Sequence, residues 1–149
     1  MSDDLILLVE DNGDDVALIR RALRRAGIAT RLVVLGDGDA AVEYLQGIGE
    51  YVDRQAWPLP RLMLLDLKLP RRSGLEVLQW LQTRPDLQPL ALVVLTNSRE
   101  NSDLQQAYAA GAHSYLVKPV EFDDLLRMVK ALNLYWMHMN QWPARGEDG

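Results

Sequence analysis

A chain of 149 residues, 48% hydrophobic, 25% charged and 7% aromatic, has the length of one compact domain and enough apolar surface for a core without covalent staples. It carries no cysteine and only two histidines, His113 and His138, which excludes disulfide scaffolds, Cys-ligated zinc, thiol nucleophiles and a His-rich metal site. No apolar run approaches the roughly 18 residues of a membrane span, the opening Met1-Ser2-Asp3-Asp4 lacks the basic head of a signal peptide, and a net charge of −5 argues against binding nucleic acid through its phosphates. The expectation is a soluble cytoplasmic domain that binds neither membrane nor nucleic acid directly.

In chain order, five short apolar runs alternate with helix-like segments. The first run, Leu5–Val9, is followed by Val16, Ile19, Leu23 and Ala26, an apolar stripe at helical spacing, with Gly27 placed to cap its end. The second, 32–35, leads into Gly36-Asp37-Gly38-Asp39, a turn with a capping carboxylate, and then a short helix from Ala40 to Leu45. The third, 62–65, precedes a loop bracketed by Pro70 and Gly74 and a stripe of Leu75, Leu78 and Leu81 that stops before Pro85. After the fourth run, 90–95, a small-residue helix marked by Leu104, Ala107 and Ala110 ends at Gly111. After the fifth, 115–117, a last helix starts near Glu121 with Phe122, Leu125, Leu126, Val129 and Leu132. None of the runs alternates apolar with polar residues, which predicts strands buried on both faces. The fold class is therefore α/β, five βα units in a doubly wound parallel five-stranded sheet with helices on both faces. The one long connection is 47–60. The domain is expected to span 1–136, with 137–149 as a tail and no separate output domain.

Open parallel sheets gather their chemistry at the carboxyl ends of the strands. Here the first run ends in Glu10-Asp11, the third in Asp66, the fourth in Thr96 and the fifth in Lys118-Pro119. Three carboxylates on neighbouring tips repel one another unless a cation sits among them, and oxygen ligands that leave several waters in place suit Mg²⁺. With a hydroxyl and an ammonium on the far strands, the set makes a cradle for a phosphoryl group. Asp14 and Asp15, just beyond, read as helix N-terminal acids favoured by the macrodipole.

The motifs Val9-Glu10-Asp11-Asn12, Leu65-Asp66-Leu67-Lys68-Leu69-Pro70 with Gly74, Leu95-Thr96-Asn97-Ser98 and Tyr115-Leu116-Val117-Lys118-Pro119 occur in that order, each at a strand end. Over about residues 5–135 the chain resembles the receiver domains of two-component response regulators. The resemblance implies the flavodoxin-like strand order 2-1-3-4-5 and a single-domain regulator that accepts a phosphoryl group from a sensor histidine kinase onto Asp66. It further implies that Asp11 and Asp66 bind Mg²⁺, with Glu10 acting through a metal-bound water and the Lys68 backbone carbonyl completing the set. Thr96 and Lys118 would hold phosphoryl oxygens, Tyr115 would be the switch aromatic that turns inward as Thr96 rotates, and the Lys118–Pro119 bond would be cis. Such a protein is no enzyme in the ordinary sense, its phosphotransfer and autodephosphorylation being self-directed, and its output is a switched protein-interaction surface. The commonest family pattern has two aspartates where Glu10-Asp11 stands and a small residue where Asn97 stands, so Asn97 is expected to narrow phosphoryl access and Lys68 to place an ammonium beside the acyl phosphate.

Other readings compete. A phosphatase with an aspartyl intermediate generally needs a second acid two residues after the nucleophile, where this chain has Lys68. A flavin or nucleotide binder should carry a Gly/Ser/Thr-rich loop after the first strand, not Glu10-Asp11-Asn12-Gly13-Asp14-Asp15. A docking-only pseudo-receiver would not need the full chemical set. Arg20, Arg21, Arg24 and Arg25 form either a solvated helix face or, as in family members, a kinase-docking face centred on Arg20, Arg21 and Arg24. Leu134, Tyr135 and Trp136, with Met137, Met139 and Trp142, exceed what one helix stripe buries; they mark a homodimer interface or a tail folded onto its own core. The long 47–60 segment and this aromatic end resemble the single-domain regulators paired with bacterial phytochromes, which makes a bacteriophytochrome the expected kinase.

Overall fold

A computed structural model describes residues 4–143; Met1-Ser2-Asp3 and residues 144–149, and with them the acidic start and the end of the expected tail, lie outside the described residues. Five strands, β1 (Leu5–Val9), β2 (Arg31–Leu35), β3 (Leu62–Leu65), β4 (Ala91–Thr96) and β5 (Ser114–Val117), form one parallel sheet in the order β2-β1-β3-β4-β5. Between and after them run α1 (Gly13–Arg25), α2 (Gly38–Gln46), α3 (Gly74–Gln82), α4 (Asn101–Ala109) and α5 (Phe122–Leu132). Residue alternation along each strand divides the interior in two. Leu5, Leu7, Val9, Met63, Leu65, Leu92 and Val94 face Ala41, Leu45, Val77, Leu78, Leu81 and Ala107 of α2, α3 and α4. Ile6, Leu8, Leu62, Leu64, Val93 and Leu95 face Ile19, Ala22, Leu23, Leu125 and Val129 of α1 and α5. Burial on both faces holds in full only for β1, β3 and β4; β2 and β5 lie at the sheet edges, where half of the neighbouring strand's cover is missing, and are only partly buried.

The local signals account for the helix ends. Asn12 caps α1 by accepting from Asp15 N at 3.0 Å, Asp37 caps α2 by accepting from Ala40 N at 2.7 Å, and Ser73 with Glu76 closes a reciprocal capping box on α3. Gly27, at φ 72°, ends α1 as expected. Among the described residues the cis X-Pro bond is Gln88–Pro89, not Lys118–Pro119. The expected cis linkage is thus corrected to trans; Lys118 N donates to Thr96 O at 2.8 Å, extending the ladder by one residue.

The long 47–60 connection is built rather than loose. Tyr44, Tyr51 and Trp57 pack their rings with centroids 5.0–6.3 Å apart. The Arg54 guanidinium donates to the carbonyls of Tyr44 (2.8 Å), Leu45 (2.7 Å) and Trp57 (3.1 Å), closing the C-terminal end of α2 onto the loop. Arg54→Met should lower unfolding free energy by about 2 kcal/mol, because charged hydrogen bonds are lost and carbonyls are left unpaired; urea denaturation of both proteins measures it.

At the other end, α5 continues into a π-wound segment, Asn133–Met139, that crosses the expected boundary at 136. Trp136, Met137 and Trp142 pack against the α1–α5 side of the core, and Trp142 Nε1 donates to Trp136 O at 3.0 Å. Leu134, Tyr135 and Met139 remain 50–58% exposed. The aromatic end thus divides, one set folding back and the other facing out. Among the described residues no helix is long and apolar enough to cross a membrane.

Candidate functional site

The main chain places the site residues before any side chain acts. Glu10 N donates to Leu35 O (2.9 Å), Asp66 N to Val9 O (3.1 Å) and Lys118 N to Thr96 O (2.8 Å), so each residue is pinned by the strand beside it. Glu10, Asp66 and Thr96 are also the three buried polar or charged residues among those described, 3%, 6% and 0% exposed. Burying carboxylates is costly unless they are paired.

Lys118 is their partner. Its ammonium lies 2.6 Å from Glu10 Oε1, 2.7 Å from Asp15 Oδ2 and 2.8 Å from Asp66 Oδ2. Burial disfavours the ammonium, but the hydrogen bonds to Asp15, Asp66 and Glu10 together outweigh it and hold the Lys118 pKa above its ordinary value. Burial raises the pKa of Glu10, against the lowering effect of Lys118 and of the Asn12 N–H, which donates to Glu10 Oε2 at 3.1 Å. Asp66 uses both oxygens: Oδ1 accepts from Lys68 N at 3.1 Å while Oδ2 faces Lys118.

Asp15 is the residue that the sequence reading missed. Its role is more than a helix-end charge: one turn into α1, its carboxylate bonds a lysine 103 positions away. The signal was an acid four residues beyond Asp11, which a first helical turn can bring back over the strand tip. Asp14 is exposed, as expected of a helix-end acid.

One ammonium therefore serves three carboxylates, with Asp11 a fourth acid at the rim. Carboxylate oxygens of Glu10, Asp11 and Asp66 lie within 4.8 Å of one another, two of the residues buried and Asp11 exposed. Hard oxygens in excess of positive charge, with one side open to water, fit a divalent ion that keeps part of its hydration. Lys68, whose carbonyl was expected to join the set, sits beside Asp66 through its N–H, and its ammonium lies 3.7 Å from Asp103 Oδ2.

The remaining expected residues are placed as follows. Thr96 ends β4, its hydroxyl accepting from Ser98 N at 3.4 Å. Asn97 is exposed beside it. Tyr115 is half-buried against the core, and its hydroxyl donates to Ser98 O at 3.1 Å. Pro119 is partly buried, and Val120 after it is 93% exposed. Arg20, Arg21, Arg24 and Arg25 all lie exposed on α1. Two of them also serve packing: Arg21 and Arg25 lie over the Phe122 ring, 4.5 and 5.9 Å from its centroid, joining α1 to α5.

A five-stranded doubly wound sheet with acids, a hydroxyl and a lysine on adjoining tips describes a phosphoryl-accepting signalling module. The chain belongs to the response regulator receiver domain family, whose model it matches over residues 6–130. It is 43% identical to the probable methanogenesis regulatory protein FilR2 of Methanothrix harundinacea, over 94% of this chain and 88% of that protein. It is 39% identical to the response regulator Rcp1 of Synechocystis, over 94% and 93% respectively. The crystal structure of the Mn²⁺-bound form of Rcp1 superposes with a TM-score of 0.82 at 38% identity, covering 95% of this chain and 99% of that one. That of the phosphorylated cyanobacterial phytochrome response regulator RcpA does so with a TM-score of 0.87 at 33% identity, covering 96% and 100%. The protein is thus a receiver close to the phytochrome response regulators, and its switching depends on phosphorylation; the phosphatase, flavin and docking-only readings are not favoured.

Proposed function

We propose that Asp66 is the phosphoacceptor and that the donor is the phosphohistidine of a sensor histidine kinase. The observation that carries this is the Asp66 carboxylate, buried at the tip of β3 with the Lys118 ammonium 2.8 Å from one oxygen. An Asp66 oxygen attacks phosphorus; the P–O bond forms as the P–N bond breaks, and imidazole leaves with the electron pair and is protonated. Lys118 offsets the repulsion between a carboxylate and an anionic phosphoryl group, then holds a phosphoryl oxygen with Thr96. Mg²⁺, held by Asp11, Asp66 and the Lys68 carbonyl, with Glu10 acting through a bound water, would supply the remaining positive charge. The phosphotransfer and the later hydrolysis are self-directed, with no external substrate turned over.

The test is intact mass after incubation with Mg²⁺ and acetyl phosphate. Wild type should gain about 80 Da, one phosphoryl group, localised by fragmentation to the peptide containing Asp66 and absent when EDTA replaces Mg²⁺. Unchanged mass would overturn the reading.

The likeness to Rcp1 and to RcpA, a phytochrome response regulator by description, supports a bacteriophytochrome as the kinase, acting in the cytoplasm. Arg20 and Arg24, exposed on α1, with Arg21 at its edge, are the docking face, and nucleic acid is not a direct partner of so acidic a chain. Leu134 and Tyr135, with Met139, form a homodimer interface beside Trp136, which buttresses it from within by packing edge-to-face on Tyr135, ring centroids 4.9 Å apart. Tyr135→Glu, which leaves the packed Trp136 and Trp142 in place, should halve the particle mass in light scattering; a monomeric wild type would discard the dimer.

A further inference from the structure

A single carboxylate oxygen on α4 gathers three segments of the site. Ser98 Oγ donates to Asp103 Oδ2 at 2.5 Å, and the Lys68 ammonium lies 3.7 Å from the same atom. Lys68 is two residues beyond Asp66 and already donates its backbone N–H to that carboxylate. On the other arm, Ser98 offers its N–H to Thr96 and its carbonyl to the Tyr115 hydroxyl. One junction therefore joins the loop after β3, the loop after β4, the first turn of α4 and the aromatic of β5.

Little else holds this end of α4. Its N-cap residue, Glu100, makes no side-chain capping bond, although its N–H donates to Ser98 Oγ at 3.3 Å, and Ala107 is the one buried residue of the helix. Beside the junction lies a half-open cavity of about 430 Å³ lined in part by Lys68, Ser73, Asp103 and Gln106.

We infer that Asp103 is a positioning residue, the junction through which the charge on Asp66 reaches Tyr115; this rests on Asp66 being the phosphoacceptor. Lys68 is 71% exposed in its side chain, so its pairing with Asp103 is weak and easily exchanged. A phosphoryl group on Asp66 carries about 1.5 to 2 negative charges, against one on Asp103, and draws the Lys68 ammonium to itself. Asp103 then loses its cation while new like charge appears on the neighbouring strand tip. The Ser98 arm adjusts with it, and Tyr115 follows because its hydroxyl is held by the Ser98 carbonyl.

The test uses the full chain labelled with 3-fluorotyrosine, the Tyr115 fluorine signal being assigned by its loss in Tyr115→Phe. Phosphoryl uptake from acetyl phosphate and Mg²⁺ is followed by intact mass in the same samples. In wild type the Tyr115 signal should shift on phosphorylation. Asp103→Asn, nearly isosteric, should move the unphosphorylated signal by at least half of that shift. Lys68→Met, on an exposed side chain that folding does not need, should move it in the same direction, and adding Asp103→Asn to Lys68→Met should move it no further. The junction is overturned if both single variants keep the wild-type signal, if their shifts add, or if phosphorylated wild type leaves Tyr115 unmoved. A wild type that gains no mass overturns the phosphoacceptor reading itself, and the junction with it, so the two failures are told apart.

Discussion

Asp66→Asn should take up no phosphoryl group where wild type gains about 80 Da, and Lys118→Met should take it up about 100-fold more slowly. The two variants separate acceptor from electrostatics. Asparagine keeps the shape of Asp66 and a partner for the Lys68 N–H at Oδ1, but its amide is no nucleophile toward phosphorus. Methionine keeps the stem of Lys118 and removes the charge lying 2.6–2.8 Å from three carboxylates. The Lys118 side chain is only 10% exposed, so its loss leaves buried acids facing one another and should destabilise the fold by about 3 kcal/mol. Burial already raises the pKa of Glu10, and the loss of Lys118 removes a group that lowers it.

A divalent ion is the natural replacement for that charge. Ligands that bind only the native state stabilise it by mass action, so Mg²⁺ should raise the melting temperature of Lys118→Met more than that of wild type. Calorimetry with and without Mg²⁺ reads this directly. Equal increments in the two proteins would show that Lys118 and the ion do not answer to the same carboxylates.

The core of this site was legible in the sequence for a physical reason. A buried parallel strand is an unbroken apolar run, and where it ends in an acid, a threonine or a lysine, that residue must stand at the sheet's rim. Glu10, Asp66, Thr96 and Lys118 were found that way, and the structure pins Glu10, Asp66 and Lys118 by neighbouring main chain. The strand order was not legible in the runs themselves, since their pattern does not say which run lies beside which; it came from the resemblance.

What escaped notice were residues whose type fits two roles. Asp15 suits a helix N-terminus so well that its bond to Lys118 had no separate signal. Arg54 reads as an ordinary loop cation, yet it gathers three carbonyls, because which carbonyls lack partners depends on how α2 ends. The exposed sides of β2 and β5 were likewise invisible, because edge and centre strands share the same apolar composition when helices cover both faces. The aromatic end was read as interface or self-packing, and it is divided between inward Trp136 and Trp142 and outward Leu134 and Tyr135.

Gly74→Ala should severely impair the chain's phosphoryl chemistry. Gly74 opens α3 where the backbone turns back across the acceptor strand, and its N–H donates to Leu67 O at 3.0 Å. A Cβ there would stand 2.2 Å from the Asp66 carbonyl oxygen and 2.8 Å from Leu67 Cα. Both are main-chain atoms, and no rotamer change relieves the clash, so the segment carrying Asp66 must move. Overpacking of this kind costs about 3 kcal/mol, and displacing a reacting group by about 1 Å costs about 100-fold in rate. Gly13→Ala is the matched control: Gly13 begins α1 on the other side of the same site, and a Cβ there meets nothing within 4 Å. It should leave stability unchanged or raise it by about 0.5 kcal/mol, with phosphoryl uptake intact. Urea denaturation and time-resolved intact mass on both variants decide the matter. If Gly74→Ala proves as mild as Gly13→Ala, the close approach of α3 to the Asp66 main chain does not set the acceptor's position.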